Sequence, residues 1–536
     1  MFSFEKTSHF ITQNPTLSFL QSCENGTPFF PTAWDDLQIR VVDQPEMTIE
    51  IPIIPTLKSK YPSKAAEIDI FSTMCSQTRS HIDEVINSCV TTSMDIIQIL
   101  TEGPEIIRDK LPTIPIDAWL EPFHVCLRRI FGEEDSLSQE IVTFIEALSS
   151  LLLLRPSDSL PALSGLLTFA HFASLNKPEV NDVFSSRPLL QTLQSIILDP
   201  TKHSQIRTNC KVRRILTEKI GPFLSDCRAS GVEYVLPDSS EPIVLRASVV
   251  VSDISTPHMI NLIHPEPPPP PEITPSEDLS QSQTLPPDEE EIAHHPLTKQ
   301  FLRHWGWKEG RPLPPLREIT RPTPPSASVC SLFIVGKDRP EVFKLFSGHS
   351  SVLVLRSLDS EDWFTKDCMW VLLTCHELLA PHTSPGEWVF DPVTITAHFS
   401  TPSVNWEEYA PFGKDDERTE EYDSKKLEMM LYALDTIEGG IPNFREVLGH
   451  IETASPATIR AQTGNPDGAC LGFRQSGTDA IGMLANLRMP LRDLYSVGGW
   501  SQFGGGLENI SRSSLVAAVE IARRAGKGEF QRGTPI

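Results

Sequence analysis

The residues whose type and spacing could do chemistry are few, and the densest group lies near the C-terminus. Asp493-Leu494-Tyr495-Ser496-Val497-Gly498-Gly499-Trp500-Ser501-Gln502-Phe503-Gly504-Gly505-Gly506 reads as a short strand running into a glycine-rich turn. A helix is predicted directly after it, over Leu507 to Arg524, with Ser513, Ser514, Ala517, Ala518 and Ala522 small enough for close packing. Glycines at a strand-to-helix junction let the backbone approach a bulky ligand, and the free N–H groups at a helix start attract polar or anionic groups. A flexible turn before an ordinary helix has the same pattern, so the segment points to a ligand only in a supporting context.

The other reactive types carry less. Cys375-His376 sets a nucleophile beside a base, but adjacent residues of a strand point to opposite faces, which favours a structural role. Glu407-Glu408 and Asp415-Asp416-Glu417 have the composition of acid–base carboxylate pairs, and beside Gly413-Lys414 they read more simply as charged loops. His294-His295 reads as solvated, and Arg213-Arg214 either meet a phosphate or merely flank a strand. The ten cysteines form no CxxC pair, which excludes a zinc ribbon or a thioredoxin-type redox site. No catalytic triad and no metal site is legible.

Elements of both periods are available to position these residues. Residues 61–200 read as mainly helical. Their clearest helix begins at Ser136 with Gln139 as capping-box partner, carries Leu137, Ile141, Phe144, Ile145, Leu148 and Leu152 at helical spacing, and stops at Arg155-Pro156. A second helix is expected over Leu189 to Leu198. Ile49 to Pro55 reads as an edge strand or extended segment. Thr208 to Glu218, Gly231 to Leu236 and Ile243 to Val251 read as three neighbouring strands, the last one apolar enough for burial on both faces. Residues 264–328 form a linker, with Pro267 to Pro271, the acidic run Asp288 to Glu291 and a second proline cluster from Pro312 to Pro325. Beyond it, Ser328 to Val335, Val352 to Leu355, Met369 to Leu373 and Val393 to Phe399 are predicted strands of a second sheet, and Ser424 to Ile437 a helix.

Composition narrows the function class. Lys and Arg total 46 against 70 Asp and Glu, a net charge of −24, so the chain would repel a nucleic acid rather than neutralise it. Proline, at 47 of 536 residues, exceeds its usual share and clusters in long loops. No apolar run reaches the length of a membrane span, and Met1 to Lys6 has no secretory pattern, so a reduced, cytoplasmic protein is expected.

Three segments in order resemble the FAD-dependent phytoene desaturase, carotenoid isomerase and retinol saturase family. The first is Thr208-Asn209-Cys210-Lys211-Val212-Arg213-Arg214-Ile215, followed by Gly231-Val232-Glu233 and Ala247-Ser248-Val249-Val250-Val251-Ser252. The second is Glu452-Thr453-Ala454-Ser455-Pro456-Ala457-Thr458, continuing to Gly468-Ala469-Cys470-Leu471-Gly472. The glycine-rich C-terminal run is the third. The resemblance implies an α/β, two-domain FAD-dependent oxidoreductase fold of the FAD/NAD(P)-binding, phytoene desaturase-like kind, with an incomplete N-terminal Rossmann unit. It implies FAD held by Val212, Gly498, Gly499, Gly504, Gly505 and Gly506, and an apolar polyene as the small-molecule partner, with peripheral membrane contact as a further expectation.

On this reading residues 1–60 are a remnant after the missing N-terminal unit, and 61–200 a helical part of the substrate domain. Residues 201–263 supply FAD-domain strands, 329–470 the substrate-domain sheet and helices, and 471–528 the C-terminal FAD-domain segment. Gly26 is the only glycine in the first hundred residues, and GxGxxG, which in the family anchors the pyrophosphate, occurs nowhere. The chain is therefore expected to purify with far less than one flavin. Two other readings stay open: a catalytically inactive or truncated relative, and an interaction protein presenting the Pro267 to Pro271 stretch as a polyproline ligand.

Overall fold

The computed structural model describes residues 37–50, 53–92, 121–132, 135–173, 193–202, 204–219, 227–236, 239, 241–263, 326–375, 378, 393–409, 419–472, 491–501 and 507–526. The described residues begin with strands β1 (Leu37–Val41) and β2 (Gln44–Glu50) and helices α1 (Ile53–Lys60), α2 (Ala65–Thr92), α3 (Phe123–Phe131), α4 (Ser136–Leu152) and α5 (Ala162–Ala173). A second stretch holds β3 (Lys211–Lys219), β4 (Cys227–Val235), β5 (Ile243–Arg246), β6 (Val250–Ser252) and α6 (Thr256–Ile263). Then come β7 (Cys330–Gly336), α7 (Arg339–Leu345), β8 (Ser351–Leu355), β9 (Trp370–Cys375), β10 (Val393–Phe399), α8 (Glu420–Gly440), β11 (Leu448–Ala454), α9 (Pro456–Thr463), β12 (Leu494–Ser496) and α10 (Leu507–Gly526).

A seven-stranded sheet in the order β11-β7-β10-β9-β8-β1-β2 dominates the larger unit. Its neighbours are antiparallel except β1 and β8, which run parallel. Strand periodicity sends alternate side chains to two cores. Leu353, Leu355, Trp370 and Leu372 pack with α1 to α5, whereas Val352, Val354, Val371 and Leu373 pack with α7 and α8. Burial on both faces explains the unbroken apolar runs of β8 and β9, each such side chain contributing about 1.5–3 kcal/mol. All four strands predicted between Ser328 and Phe399 lie in this sheet. So do β1 and β2, from the segment read as a remnant.

Several local expectations change. The extended reading of Ile49 to Pro55 holds to Glu50, where β2 ends as the edge strand; from Ile53 the chain is helical. Ile53, Ile54 and Leu57 share one buried helical face, and Pro55 sits in the first turn, where a missing N–H costs nothing. Helix α4 starts where predicted, but its cap is Asp135, whose carboxylate accepts from Leu137 N at 2.8 Å. Lys64 reaches the same carboxylate and holds its pKa below the usual range, so the charged cap outcompetes the Ser136 hydroxyl. Residues 193–197 are helical within the stretch predicted from Leu189. Helix α8 begins one turn before the predicted Ser424, because Thr419 caps Tyr422 N and Glu420, Glu421 and Asp423 favour a helix start.

One buried carboxylate of this unit has a measurable consequence. Glu146, 6% exposed on α4, accepts from Ser157 Oγ at 2.6 Å, and burial raises its pKa. A carboxyl raised in the folded state binds more protons there than in the unfolded chain, so stability falls as pH rises from the ordinary carboxylate value through the raised one. Glu146→Gln is expected to flatten that slope in urea unfolding measured across the acid-to-neutral range. An unchanged slope would locate the pH dependence elsewhere.

The smaller unit has two sheets, an antiparallel β3-β4-β5 meander and the parallel pair β6-β12. Ile215, Ala229, Val250, Met259, Ile263, Leu491 and Leu494 form their common core. The segment Ile243 to Val251 is thus two strands in different sheets rather than one. Nor is β5 buried on both faces: Ile243, Val244 and Leu245 are 37%, 52% and 47% exposed at the edge of the meander. Residues 264–325 of the linker lie outside the described set; its last residues, 326–328, pack into the site described next.

Candidate functional site

Two short parallel strands from distant parts of the chain set the site. β6 and β12 pair Leu494 with Val250, Tyr495 with Val251 and Ser496 with Ser252, bringing the expected C-terminal strand beside the strand that ends the 201–263 segment. Val250 N donates to Asp493 O and Val497 N to Ser252 O, each at 2.8 Å. The start of β4 adds a parallel bridge, with Ala229 N donating to Arg492 O at 2.8 Å. In open α/β sheets ligands sit beyond the carboxyl ends of parallel strands. Here those ends carry Ser252 and Asp253 on one side, and Ser496, Val497 and Gly498 on the other.

The amino end of β12 is fixed from α10. Arg524 donates to Asp493 Oδ1 at 2.8 Å and to the Tyr495 hydroxyl at 2.7 Å, and Asp493 and Tyr495 are 9% and 1% exposed. Asp493 adopts φ +63, a conformation an aspartate tolerates. At the carboxyl end, Gly498 to Trp500 make one 3-10 turn, and both the N–H and the hydroxyl of Ser501 donate to Gly498 O.

The glycines of this turn do a different job from the one their sequence suggests. Gly498, at φ +84, faces Asp253: a β-carbon there would lie 3.2 Å from Asp253 Cβ. Gly472, at φ +79, is tighter, its β-carbon position being 1.8 Å from the carbonyl oxygen of Gly499. These close approaches join two parts of the protein to each other rather than to a ligand. A side-chain bond crosses this joint, and others brace its 468–472 side. Trp500 Nε1 donates to Asn465 Oδ1 at 2.9 Å, Ser326 N to Gly472 O at 2.8 Å, and Leu471 N to Ser326 Oγ at 2.9 Å. Ser328 Oγ donates to Gly468 O at 2.6 Å. The Ser455-Pro456 start of α9, a capping box with Thr458, receives the Tyr422 hydroxyl, and Gly464 at the far end of α9 abuts His258 of α6.

One polar group at this junction is left over. Ser496 is 2% exposed, and its Oγ has no hydrogen-bond partner among the described residues. Ser496 closes β12 immediately before the turn, on the same strand face as Leu494. A buried hydroxyl without a partner costs about 1–3 kcal/mol, which a ligand group bonded to it would offset. Nothing in the sequence distinguishes this serine from its neighbours; the signal exists only once both strands are paired.

The other sequence candidates fall elsewhere. Val212 lies on β3, in a different sheet from Gly498, opposite Tyr234 and 38% exposed; Arg213 and Arg214 beside it are exposed. Gly499 contributes its carbonyl to the joint with Gly472. Gly504, Gly505 and Gly506 lie outside the described residues, as do His376, His294-His295 and Asp415-Asp416-Glu417. Cys375 is wholly buried at the end of β9, its N–H bonded to Ser350 O. Glu408 is exposed and accepts from Asn405. Burial pushes the Cys126 and Cys330 thiols up to about 11 and about 12, the opposite of what a nucleophile needs. Among the described residues no group of three or more His, Cys, Asp or Glu is placed to hold a metal, and no helix is long and apolar enough to cross a membrane.

FAD places two demands on such a site. Its ring end needs polar contacts, and the candidate for one among the described residues is the unpartnered Ser496 hydroxyl, on the strand face it shares with Leu494. Its dianionic pyrophosphate needs a ring of backbone N–H groups, usually from a glycine-rich turn leading into a helix. The strand-to-helix turn described here, β6 into α6, is Asp253-Ile254-Ser255-Thr256-Pro257: it has no glycine, it carries a carboxylate, and Pro257 lacks an N–H. Among the described residues this helix start offers no cradle for the pyrophosphate, and Gly504 to Gly506, before α10, lie outside them.

No family model matches the sequence, and no curated protein matches it. Solved structures do. A triple mutant of a putrescine oxidase, made in a structure-based redesign of cofactor binding, is 12% identical, with 96% of this chain and 87% of that one covered at a TM-score of 0.51. A single mutant from the same redesign is 13% identical, covering 97% and 88% at 0.50. At such identity the likeness speaks for the fold alone, and on that level the chain has a mixed α/β fold similar to that of putrescine oxidase.

Proposed function

We propose that the chain is a FAD-dependent oxidoreductase acting on an apolar polyene of the carotenoid or retinoid type, with the flavin ring at the carboxyl ends of β6 and β12. The observation that carries this reading is the parallel pairing of Leu494–Ser496 with Val250–Ser252. It closes some 240 residues of chain and seats the turn at Gly498 against Gly472 of the larger unit. A bound flavin supplies hydride transfer. The chain's own residues hold, orient and dry the site: Arg524 fixes the entry to β12, Trp500 and Asn465 lock the turn, and Ser496 offers a buried hydroxyl. The polyene class rests on the sequence resemblance alone. The test is an anaerobic incubation of the chain, saturated with flavin, with a retinoid or carotenoid. Bleaching of the visible flavin band, or a shift in the polyene spectrum, is expected; neither change in a chain that binds flavin would overturn the polyene assignment.

A catalytically inactive relative is the second reading, favoured by the start of α6, where Asp253 and Pro257 offer no cradle for an anion. Its mark would be failure to bind any flavin.

A further inference from the structure

We infer that two copies of this chain associate through β5, paired antiparallel about a twofold axis at Val244, so that their three-stranded meanders join into one continuous sheet.

The two edges of the meander differ. β3 carries exposed Lys211, Arg213, Arg214, Glu218 and Lys219, and its register shifts at two places, which are the devices that blunt an edge against further pairing. β5 has neither. Its register with β4 is unbroken, all four of its residues are exposed, and three of them, Ile243, Val244 and Leu245, are apolar. Helix α6 packs against β3, the far strand.

The backbone fixes which groups of β5 face outward. Ala247 N donates to Ser230 O at 3.0 Å, and hydrogen-bonded pairs alternate along an antiparallel ladder. Leu245 and Ile243 therefore bond inward to β4, while the N–H and C=O groups of Val244 and Arg246 point away from it. A twofold antiparallel pair sets one residue opposite itself. With Val244 there, the two Val244 residues exchange both bonds, and each Arg246 N–H meets the Pro242 carbonyl of the second copy. Ile243 then lies opposite Leu245 of the second copy on one face, and Val244 opposite Val244 on the other, which covers side chains that a single copy leaves in water.

Charge selects the same arrangement. Glu241 and Arg246, both exposed, bracket the strand with opposite signs, and Arg246 is anchored on Ser230 Oγ at 3.0 Å. Antiparallel pairing about Val244 brings the acidic end of each copy to the basic end of the other. Centring on Leu245 instead moves Glu241 away and draws the two Arg246 side chains together. One short strand per copy makes a small contact, below about 1,200 Å², so a dissociation constant of about 10⁻⁵ M is expected.

Sedimentation equilibrium of the 536-residue chain from about 1 to about 100 µM reads the association directly. The mass is expected to rise from one chain toward two; a single-chain mass throughout would overturn the inference. Val244→Lys and Val244→Glu supply the second arm. Val244 is half exposed, so both variants are expected to keep the urea unfolding midpoint of the unsubstituted chain. Each alone is expected to stay monomeric at about 100 µM, because like charges face each other across the axis, and an equimolar mixture to recover the dimer. Either variant dimerising alone as strongly as the unsubstituted chain, or a mixture that stays monomeric, would show that residue 244 does not face itself and would overturn the pairing.

Discussion

Gly472→Ala is expected to destabilise the protein by about 3 kcal/mol or more, because two independent penalties act at one residue. The first is conformational: Gly472 has φ +79, a region that costs an L-residue about 1–2 kcal/mol. The second is steric. A β-carbon 1.8 Å from the Gly499 carbonyl oxygen cannot be accommodated by rotating a side chain, since both partners are backbone. The 468–472 segment and the 498–500 turn would have to separate, and Asn465 would lose the geometry of its bond from Trp500 across the joint. Gly348→Ala is the matching control. Gly348 has nearly the same φ, +80, with nothing within 4 Å of its β-carbon position, so it isolates the conformational penalty. Urea unfolding of both variants should show Gly472→Ala clearly the more damaging. Equal losses would mean that the contact with Gly499 can relax.

The second large effect is expected at Arg524. Its guanidinium donates to a nearly buried carboxylate, Asp493, and to the buried Tyr495 hydroxyl. Arg524→Met keeps the apolar stem and removes the charge, leaving the Asp493 carboxyl without its cation in a site that water barely reaches. Breaking a buried pair in this way costs about 3 kcal/mol, more than the pair itself contributes relative to a neutral substitute. Adding Asp493→Asn to Arg524→Met should recover much of the loss, because asparagine removes the unpaired charge and tolerates the φ of +63. The double-mutant cycle reads this coupling directly. Additive losses from the two substitutions would show that the charge at Asp493 is solvated from another direction.

How far the sequence reveals this architecture depends on how local each signal is. Helix α4 is legible from Ile141, Phe144, Ile145 and Leu148, which repeat within a few turns. The strands from Cys330 to Phe399 are legible because burial on both faces makes continuous apolar runs. The same logic misleads at Ile243-Val244-Leu245, where an equally apolar run is an exposed edge; propensity for a strand carries no record of what covers it. The place of β1 in the large sheet also escapes local reading, since its parallel partner β8 lies some 300 residues away. At the site, the glycines of the C-terminal turn are visible in the sequence, but their purpose is not. Whether Gly498 and Gly472 receive a ligand or each other's neighbourhood depends on Asp253 and Gly499, brought there by tertiary structure. Ser496 is the extreme case, an ordinary serine until its burial and lack of partner are known.

The central claim is that the carboxyl ends of β6 and β12, with the turn at Gly498, form a flavin-ring site. A crystal structure of the 536-residue chain soaked with riboflavin tests it most directly. The isoalloxazine ring is expected beside the Gly498–Trp500 turn, with one of its polar atoms within hydrogen-bond distance of Ser496 Oγ. A ring bound instead on the exposed sheet around Val212, or no ring at saturating riboflavin, would contradict it.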